Sequence, residues 1–484
     1  MTRAKRSVSA VLALLLAVSL PAQTGKPDRS KPPALGPVRP LKLPPVQRLR
    51  LSNGLPVLLV EQHEVPVVQL NVVARAGAGA DPRDKPGLAS LTADMLDEGA
   101  GSRSSLQISD ELDYLGADLQ TRAGWDSTAV ALHVPLKRFP AALPIFADVA
   151  LKPTFPATEL DRVRKDRLTE LLQLRDEPSA IAAVAVANAL YGRDHRYGTP
   201  VIGTEAAVRG FSRGDLALFH ERTFTPANSG IVVVGDVTAA SVLKDLEQAF
   251  GGWKAPAGAA PAAVPAAPQV PARGIWIVDR PGSAQSEIRI GRIGPPRSTA
   301  DYFPLTVMNT ILGGSFTSRL MQNLREQHGY AYGARSRFDY RLSTGPFVAS
   351  AAVQTDKTGP ALTEFFKELD AIRKTVTEAE VAKAKNYVAL SYPSDVETTG
   401  DIAGKLEEQF IYALPDGWLD SYVEKVGAVT LAEVKRVADQ YVDPTRVAVV
   451  VVGDRQKIEP EIRALNLGPI RVQSVEEVFG VAKK

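Results

Sequence analysis

Residues 232–236 read VVVGD, and residues 450–454 repeat the same five letters 218 positions later. The same offset of 218 residues separates LVE at residues 59–61 from IVD at residues 277–279. Short runs of valine, isoleucine and leucine that end at glycine or an acidic residue are typical of buried strands. The period is far longer than the roughly 20–50 residues of a solenoid repeat. We therefore interpret the chain as a duplicated domain whose two halves share one fold.

Each half mixes short apolar runs with longer amphipathic ones. Strand-like runs occupy residues 67–73 and 128–134, whereas helix-like runs with apolar residues on one face occupy residues 106–115, 159–174 and 362–376. The two periodicities distinguish strands from helices. We expect an α+β fold made of two duplicated α/β sandwich domains. In each domain, helices should pack on one face of a largely antiparallel sheet.

Two stretches with few large apolar residues mark the boundaries of the halves. Residues 23–45 are rich in proline, lysine and arginine, and residues 255–273, APAGAAPAAVPAAPQVPAR, are mostly alanine and proline. Such compositions predict an extended lead-in and a semi-rigid linker, respectively. The expected domains are residues 46–254 and residues 274–484.

The first 22 residues are typical of an export signal. Three cations occur within the first six residues, an apolar run follows at residues 8–20, and Ala22 is a plausible cleavage point. The apolar run is too short for a comfortable membrane span. The alternative is a leader that is kept as a membrane anchor. We expect cleavage, no stable membrane span afterwards, and a bacterial periplasmic location.

The overall composition excludes several classes of protein. The chain has 484 residues, 45% of them hydrophobic and 23% charged, and its formal net charge is only +3. These values are ordinary for a globular protein of several domains. No stretch dense in lysine or arginine predicts nucleic-acid binding. The chain has no cysteine, which excludes a lipoprotein anchor, disulfides and a thiol nucleophile.

Three segments of the sequence carry a resemblance to a known protein family. Residues 87–100 read GLASLTADMLDEGA, and residues 313–332 read GGSFTSRLMQNLREQHGYAY. Together with HRYGTP at residues 195–200, they resemble the M16 (pitrilysin/insulinase-like) family of zinc peptidases over nearly the whole mature chain. In that family the helix of the first motif contains H-x-x-E-H, two zinc ligands with a general base between them. The resemblance implies a two-domain M16 fold that forms half of a clamshell.

The zinc motif is degenerate in this sequence. The two histidine positions correspond to Ser90 and Asp94, and the glutamate position corresponds to Ala93. The resemblance places the third zinc ligand at Glu170 or Leu171, and we favour Leu171 as the equivalent position. Serine is a poor zinc ligand and alanine cannot accept a proton. We therefore expect no metal bound by this chain.

Other metal arrangements are not favoured by the sequence. None of the five histidines lies three or four residues from another histidine. Asp94, Asp97 and Glu98 form an acidic cluster, but it lacks the alternating oxygen ligands and the glycine of a calcium loop. We interpret the cluster as a solvated helix end, and His195 and His220 as packing or turn residues.

The second motif supplies the candidate catalytic residues. Its LREQHGYAY segment resembles the family's pattern of an arginine followed seven residues later by a tyrosine, here Arg325 and Tyr332. In M16 enzymes this pair holds the substrate carbonyl and stabilises the tetrahedral intermediate. A fixed cation beside a phenol suits that role. The alternative is a structural arginine–carboxylate pair beside a half-buried tyrosine.

A possible edge strand at residues 121–128, TRAGWDST, completes the set of candidate features. In M16 enzymes such a strand pairs with the extended substrate, a mode of binding that tolerates many sequences. Trp125 could then provide an apolar contact with the peptide. An ordinary strand end explains the same residues.

The resemblance implies a division of labour between two chains. This chain would be the non-catalytic subunit of a heterodimeric periplasmic zinc endopeptidase and would contribute Arg325 and Tyr332. A partner subunit with intact H-x-x-E-H would contribute zinc and the general base, and an unstructured peptide would be the substrate. The alternative is a pseudo-peptidase that acts as a peptide-binding or structural subunit of the cell envelope. No independent activity is expected from this chain.

Overall fold

The computed structural model describes residues 43–254 and 263–480. The predicted signal peptide, most of the proline-rich lead-in and the first part of the predicted linker lie outside these ranges. The rest of the linker is packed against the protein, because Ala267 and Val270 are buried in an apolar cluster with helices and strands of both halves. No helix in the described ranges combines the length and hydropathy that crossing a membrane requires.

The first half contains eight strands and eight α-helices, besides short 3-10 helices, in the order expected of an α+β domain. The strands are β1 Gln47–Arg50, β2 Pro56–Glu61, β3 Val67–Ala74, β4 Gly99–Ala100, β5 Arg103–Ser104, β6 Asp118–Ala123, β7 Thr128–Pro135 and β8 Ser229–Gly235. The helices are α1 Leu88–Asp94, α2 Ser105–Leu115, α3 Phe139–Leu151, α4 Ala157–Gln173, α5 Pro178–Tyr191, α6 Glu205–Gly210, α7 Arg213–Thr223 and α8 Ala239–Phe250.

The second half repeats this pattern with fewer strands. Its strands are β9 Gly274–Asp279, β10 Gln285–Ile293, β11 Ala331–Phe338, β12 Pro346–Gln354, β13 Ala448–Gly453 and β14 Ile470–Gln473. Its helices are α9 Tyr302–Leu312, α10 Arg319–Met321, α11 Thr358–Lys374, α12 Glu378–Ser391, α13 Thr399–Ile411, α14 Tyr422–Ala428, α15 Leu431–Tyr441, α16 Arg455–Ala464 and α17 Val475–Phe479.

Each half is built on a six-stranded, largely antiparallel sheet. The strand orders are β1-β2-β8-β3-β7-β6 and β11-β12-β10-β13-β9-β14. In the first sheet only β2 and β8 are parallel, and in the second sheet the parallel pairs are β13–β9 and β14–β9. Strands β2 and β9 are offset by 218 residues at both ends. The predicted α+β class and the predicted duplication are therefore confirmed.

Each half packs its own helices on one face of its own sheet, as predicted. In the first half, Leu59, Leu70 and Val233 on three neighbouring strands are fully buried against Phe146 of α3 and other helical residues. The second half contains the equivalent cluster, in which Ile288, Val449 and Val451 meet α9, α11 and α15. These two clusters are the main hydrophobic cores, and burial of their apolar area drives folding.

The opposite face of each sheet is covered by a helix from the other half. Helix α5 of the first half packs on β9, β10 and β13 of the second half. Its counterpart, α13, begins 221 residues later and packs on β3 and β8 of the first half. The expectation of helices on one face is therefore incomplete. The two halves exchange equivalent helices, so the central strands β8 and β13 are buried on both faces.

A glycine in each sheet makes this exchange possible. A Cβ atom at Gly230 of β8 would lie 2.7 Å from the Phe410 ring of α13, and one at Gly291 of β10 would lie 2.8 Å from Cγ2 of Val186 in α5. Both distances are well below van der Waals contact, so only glycine allows the helices to approach this closely. The two glycines therefore have equivalent roles in the two halves.

A buried polar network joins the halves beside α13. Glu407 of α13 accepts hydrogen bonds from Asn71 Nδ2 of β3 (2.5 Å) and from Arg122 Nη2 of β6 (2.6 Å). Glu407 and Asn71 are both buried. A buried carboxylate is tolerated when it is paired and hydrogen-bonded. The network therefore fixes the position of α13 on the first sheet in addition to the apolar contacts.

The exchange predicts that a cavity in α13 destabilises the first half of the chain. Leu406 is fully buried against the first sheet, so Leu406→Ala should lower the free energy of unfolding by about 2–5 kcal/mol. Hydrogen exchange should accelerate in β3 and β8, although the substitution lies in the second half. Leu390→Ala is the matched control, because Leu390 is 48% exposed on α12. Acceleration confined to the second half would contradict the coupling.

Candidate functional site

The helix that resembles the family's zinc-binding helix is α1, and it is held tightly at its start. Gly87 has φ 96° and packs against Gly203, where a Cβ would lie 2.6 Å from the neighbouring Cα. The carboxylate of Asp81 accepts hydrogen bonds from the amides of Gly87 and Ala89, each at 2.7 Å. Burial raises the pKa of Asp81 to about 7, against the opposing effect of these hydrogen bonds. The helix is therefore preserved although its zinc-binding residues are not.

The position of the lost metal-binding residues is occupied by an ion pair. Ser90 and Ala93 are buried, and Asp94 forms an ion pair with Arg167 of α4. The Arg167 guanidinium also contacts Glu170 Oε2 at 3.0 Å and donates a hydrogen bond to a backbone carbonyl 3.1 Å away. Burial raises the pKa of Asp94, whereas the charge of Arg167 opposes this rise. A guanidinium thus provides positive charge in this region.

The residues present do not suit a zinc ion. Leu171, which we favour as the third ligand position, is only 2% exposed and belongs to the apolar core. Glu170, the other possibility, is engaged by Arg167. Ala93 has no donor atom, and the Asp94 carboxylate is already neutralised by a cation. Within residues 43–254 and 263–480, no group of three or more histidine, aspartate or glutamate side chains is arranged to hold a metal ion.

The remaining residues of the acidic cluster are used within the fold. Glu98 pairs with Arg162 and accepts a hydrogen bond from the Ser105 hydroxyl at 2.8 Å. Burial raises the pKa of Asp97 to about 6, with further contributions from the charges of Glu98 and Asp94. The cluster is therefore partly buried, in contrast to the solvated helix end predicted from the sequence.

The structure places Arg325 and Tyr332 side by side. The guanidinium carbon of Arg325 lies 5.0 Å from the centre of the Tyr332 ring. Tyr332 is 87% exposed, so the alternative of a half-buried tyrosine is wrong. Arg325 Nε lies 3.3 Å from Glu326 Oε1, the neighbouring residue along the chain. The phenol and the guanidinium are thus both available at the surface.

Irregular backbone positions the two side chains. Arg325 lies in a π-helix, Gln322–Gln327, that continues α10. Tyr332 lies at a β-bulge, where the pairing register of β11 with β12 shifts between Ala331 and Ala334. Both irregularities insert an extra residue and re-aim a side chain, and both are frequent at functional sites.

The two glycines at the start of the second motif, Gly313 and Gly314, bring the end of helix α9 close to β11. The carbonyl of Gly313 accepts a hydrogen bond from Ser336 N of β11 at 3.1 Å. A Cβ at Gly313 would lie 2.2 Å from that nitrogen, and one at Gly314 would lie 3.0 Å from the carbonyl oxygen of Asn309. Glycine is therefore required at both positions, and it holds the loop against the strand that contains Tyr332.

A third residue, Phe316, completes the arrangement and was missed by the sequence analysis. The Arg325 guanidinium carbon lies 4.8 Å from the centre of the Phe316 ring, and Phe316 is 58% exposed. The guanidinium is therefore flanked by two aromatic rings, an arrangement stabilised by cation–π attraction. A single large aromatic residue within the small and polar run GGSFTS was the available signal.

The predicted edge strand and its tryptophan need correction. The edge strand is β6, Asp118–Ala123, and not residues 121–128. Trp125 lies in the following turn, with its ring 4.1 Å from the Arg341 guanidinium carbon and 5.2 Å from the Tyr197 ring. The contact with Arg341 joins the two halves of the chain. Trp125 therefore packs between the halves and does not extend a free edge strand.

The two histidines act as structural residues, as the sequence predicts. His195 Nε2 donates to the carbonyl of Pro265 at 3.0 Å, and its Nδ1 accepts from the amide of Tyr197 at 3.1 Å. His220 Nε2 donates to the carbonyl of Ala150 at 2.9 Å, and burial lowers the pKa of His220 to about 4. A neutral, hydrogen-bonded imidazole in each position stabilises the local fold.

The ion pair predicts a pH-dependent loss of stability when Arg167 is replaced. Arg167→Met should lower the free energy of unfolding by about 2 kcal/mol at neutral pH, less than for a fully buried pair. The folded-state pKa of Asp94 is already above its unfolded value, and the variant should raise it further. The loss of stability should therefore be largest above the raised pKa of Asp94 in the variant, where Asp94 is ionised in both folded proteins. It should shrink as the pH falls towards about 4 and Asp94 becomes protonated in both.

Denaturant unfolding of Arg167→Met and of the original chain across this pH range measures the effect. Arg209→Met is the matched control, because Arg209 forms an exposed pair with Glu205 that should contribute less than about 1 kcal/mol. A deficit that is equal at all pH values would contradict the assignment to Asp94.

Restoring the three lost motif residues should not restore a zinc site. The combined change Ser90→His, Ala93→Glu and Asp94→His leaves Leu171 in place and deprives the buried Arg167 of its partner. We expect no stoichiometric zinc after dialysis, measured by atomic absorption, whereas a variant with Leu171→Glu and Arg167→Ala added should retain more. Stoichiometric zinc in the three-residue variant would contradict the placement of the third ligand.

Comparisons with known proteins identify the family to which the chain is similar. The family model described as Insulinase (Peptidase family M16) matches residues 56–205, and the model described as Peptidase M16 inactive domain matches residues 210–388. An uncharacterized zinc protease of Mycobacterium bovis is 25% identical over 443 residues, which cover 90% of this chain and 99% of the relative. The uncharacterized zinc protease YmxG of Bacillus subtilis is 24% identical over 398 residues, which cover 82% of this chain and 95% of the relative.

Solved structures show the same fold. A peptidase M16 inactive domain from Pseudomonas fluorescens superposes with a TM-score of 0.79 at 27% identity, covering 84% of this chain and 98% of that one. A protease from Helicobacter pylori has a TM-score of 0.79 at 21% identity, and the match covers 85% of this chain and 100% of that one. The two family models together cover most of the chain, and the zinc-binding residues of H-x-x-E-H are replaced. The chain therefore belongs to the M16 peptidase family, as a member of the non-catalytic type.

Proposed function

We propose that this chain is the non-catalytic subunit of a heterodimeric M16 zinc endopeptidase. It supplies Arg325 and Tyr332 to bind the substrate and stabilise the oxyanion, and a partner with intact H-x-x-E-H supplies zinc and the general base. The main support is the exposed Arg325–Tyr332 pair, held together on a bulged strand and a π-helix. A purely structural tyrosine would be expected to bury more of its ring.

The chemistry of the pair suits a developing negative charge. The guanidinium offers several N–H donors and a permanent positive charge, and the phenol offers one O–H donor. Stacking of Arg325 between Phe316 and Tyr332 limits its motion before substrate binds. Donors that are oriented in advance need little reorganisation in the transition state, and this is the main source of oxyanion stabilisation in enzymes.

The need for a partner follows from what this chain lacks. The region equivalent to the zinc site contains Ser90, Ala93 and the Asp94–Arg167 ion pair, which do not suit the metal. The sequence has no cysteine nucleophile, and no serine–histidine–aspartate arrangement stands out in it. Zinc on the partner would polarise the carbonyl and activate the attacking water. The substrate would be an unstructured peptide enclosed between the two subunits.

The proposed location is the bacterial periplasm. The proposed location is supported by residues 1–22, which contain early cations, an apolar run and a small residue at the expected cleavage point. The absence of cysteine means that stability does not depend on the redox state of the compartment.

The first test is affinity purification of the chain from its native cells, with mass spectrometry of the proteins that accompany it. A stoichiometric M16 partner containing H-x-x-E-H, together with zinc-dependent peptidase activity of the pair, is the expected result. Recovery of the chain alone, or with unrelated envelope proteins, would contradict the heterodimer. It would favour a pseudo-peptidase that binds peptides or has a structural role.

Within the assembled pair, Arg325→Ala should lower kcat by about 100-fold, the cost of removing one oxyanion donor. The pair should stay associated in size-exclusion chromatography, because the change removes a surface side chain. Tyr332→Phe, which removes only the hydroxyl, should lower kcat by a smaller factor. Arg463→Ala is the control, since Arg463 pairs with Glu459 on α16, outside the site. Unchanged turnover in Arg325→Ala would remove the main support for this function.

A further inference from the structure

The outer face of the second sheet has an uncovered part beside the Arg325–Tyr332 pair. Helix α5 covers β9, β10 and β13, whereas β11 is the edge strand, with β12 as its neighbour. On β11, Arg335 and Arg337 are both exposed. They alternate with Ala334 and Ser336, which are buried on the opposite face.

Three arginines form one cluster on this face. Arg335 pairs in register with Ser350 of β12, which pairs with Arg289 of β10, so the two arginines lie in one row across three strands. Arg337 is two residues further along β11 and points to the same side. We call Arg289, Arg335 and Arg337 the arginine face.

The arginine face carries an excess of positive charge. Arg289 Nη2 pairs with Glu287 Oε1 at 2.9 Å. Among the residues that the structure describes, neither Arg335 nor Arg337 forms an ion pair, although the charge of Glu287 also attracts Arg335. Burial lowers the pKa of Arg289, and the negative charge of Glu287 opposes this lowering. The positive charges of Arg337 and Arg335 lower the pKa further. Such unpaired charges attract carboxylates, which arginine binds in a bidentate geometry.

A cavity opens beside the same arginines. It has a volume of about 230 Å³ and lies between α5 and the sheet, with Arg289, Arg337, Val348, Ala187 and Leu190 among its lining residues. An apolar cavity of about 150 Å³ is large enough to hold benzene, so this one can accept an aliphatic side chain. Asp339 also lines the cavity, but its carboxylate is bound by Arg341.

The spacing along β11 relates this surface to the candidate catalytic pair. Tyr332 precedes Arg335 by three residues and Arg337 by five. Because of the bulge at Tyr332, the intervals are counted on β12, where the partners of Ala331, Arg335 and Arg337 are Val353, Ser350 and Val348. At about 3.3 Å per residue, Arg335 and Arg337 therefore lie up to roughly 10 and 17 Å from Tyr332 along the strand. An extended peptide has the same rise per residue. A peptide whose carbonyl lies at Arg325 and Tyr332 can therefore place a side chain three to five residues away at the arginine face.

We propose that the arginine face and its cavity select extended peptides with an acidic side chain three to five residues from the carbonyl held by Arg325 and Tyr332. An adjacent aliphatic side chain occupies the cavity beside Leu190 and Val348. This inference rests on the proposed function and adds to it the class of substrate. Selection arises from the charges of this subunit and not from the metal-bearing partner.

Peptide binding to the purified full chain tests the selection directly. The probes are a short, fluorescein-labelled Gly/Ser/Ala peptide with a central Leu-Asp pair and its twin with Leu-Asn. At low ionic strength, where charge attraction is least screened, fluorescence anisotropy should show about fivefold tighter binding of the Leu-Asp peptide. The preference should disappear in the double variant Arg335→Gln/Arg337→Gln.

Arg471→Gln is the matched control, because Arg471 is an exposed arginine on β14, the opposite edge of the same sheet. It should retain the full preference for the Leu-Asp peptide. Equal affinities for the two peptides, no binding of either, or a preference that persists in the double variant would each overturn the inference.

Cleavage-site profiling of a peptide mixture by the assembled pair separates this inference from the proposed function. Acidic residues should be enriched three to five positions to one side of the cleaved bond, and the double variant should lose the enrichment. Cleavage without acidic enrichment would overturn the inference and leave the heterodimeric peptidase intact. Acid-selective binding by a chain that recruits no partner would support the peptide site and contradict the heterodimer.

Discussion

The exchange of helices α5 and α13 between the two halves is the constraint on which the rest of the structure depends. Every residue of β8 and of β13 is buried, so each sheet has two apolar faces to cover. The helices of one half cover only one of them. The second face is covered by the equivalent helix of the other half, and Gly230 and Gly291 allow the close approach. Neither half can bury its sheet completely without the other.

This constraint also gives the candidate sites a rigid framework. The uncovered remainder of the second sheet, at β11 and β12, is what α5 leaves exposed, and it contains the arginine face. Tyr332 is the second residue of strand β11, and the π-helix holds Arg325 beside it. Binding residues on a packed sheet move less than residues on loops, so their spacing can be matched to the spacing of an extended peptide. The proposed catalytic pair and the proposed peptide-selecting surface thus lie on the same sheet.

The start of the first domain shows how helix α1 is held in place by contacts that need no metal ion. Helix α1 keeps its capping carboxylate, its glycine contact and its apolar packing, all of which are independent of the metal. The Arg167 guanidinium pairs with the carboxylates of Asp94 and Glu170, and Leu171 occupies the position that we favour for the third ligand. A buried charge is tolerated because it is paired. The helix that contained the motif therefore serves as a structural element of the first domain.

The sequence by itself determined the duplication, the α+β class and the family, and it predicted the degenerate zinc motif and the Arg325–Tyr332 pair. These features are periodicities or short motifs, and neighbouring residues along the chain define them. Only the tertiary structure decided that α5 and α13 are exchanged, that Arg167 pairs with Asp94, that Phe316 flanks Arg325, and that Arg289 joins Arg335 in one row. Each of these depends on how distant segments pack or pair, and local pattern does not encode strand register or helix placement. The uninterrupted valine runs of β8 and β13 indicated buried strands, but the sequence predicted helices on only one face of each sheet.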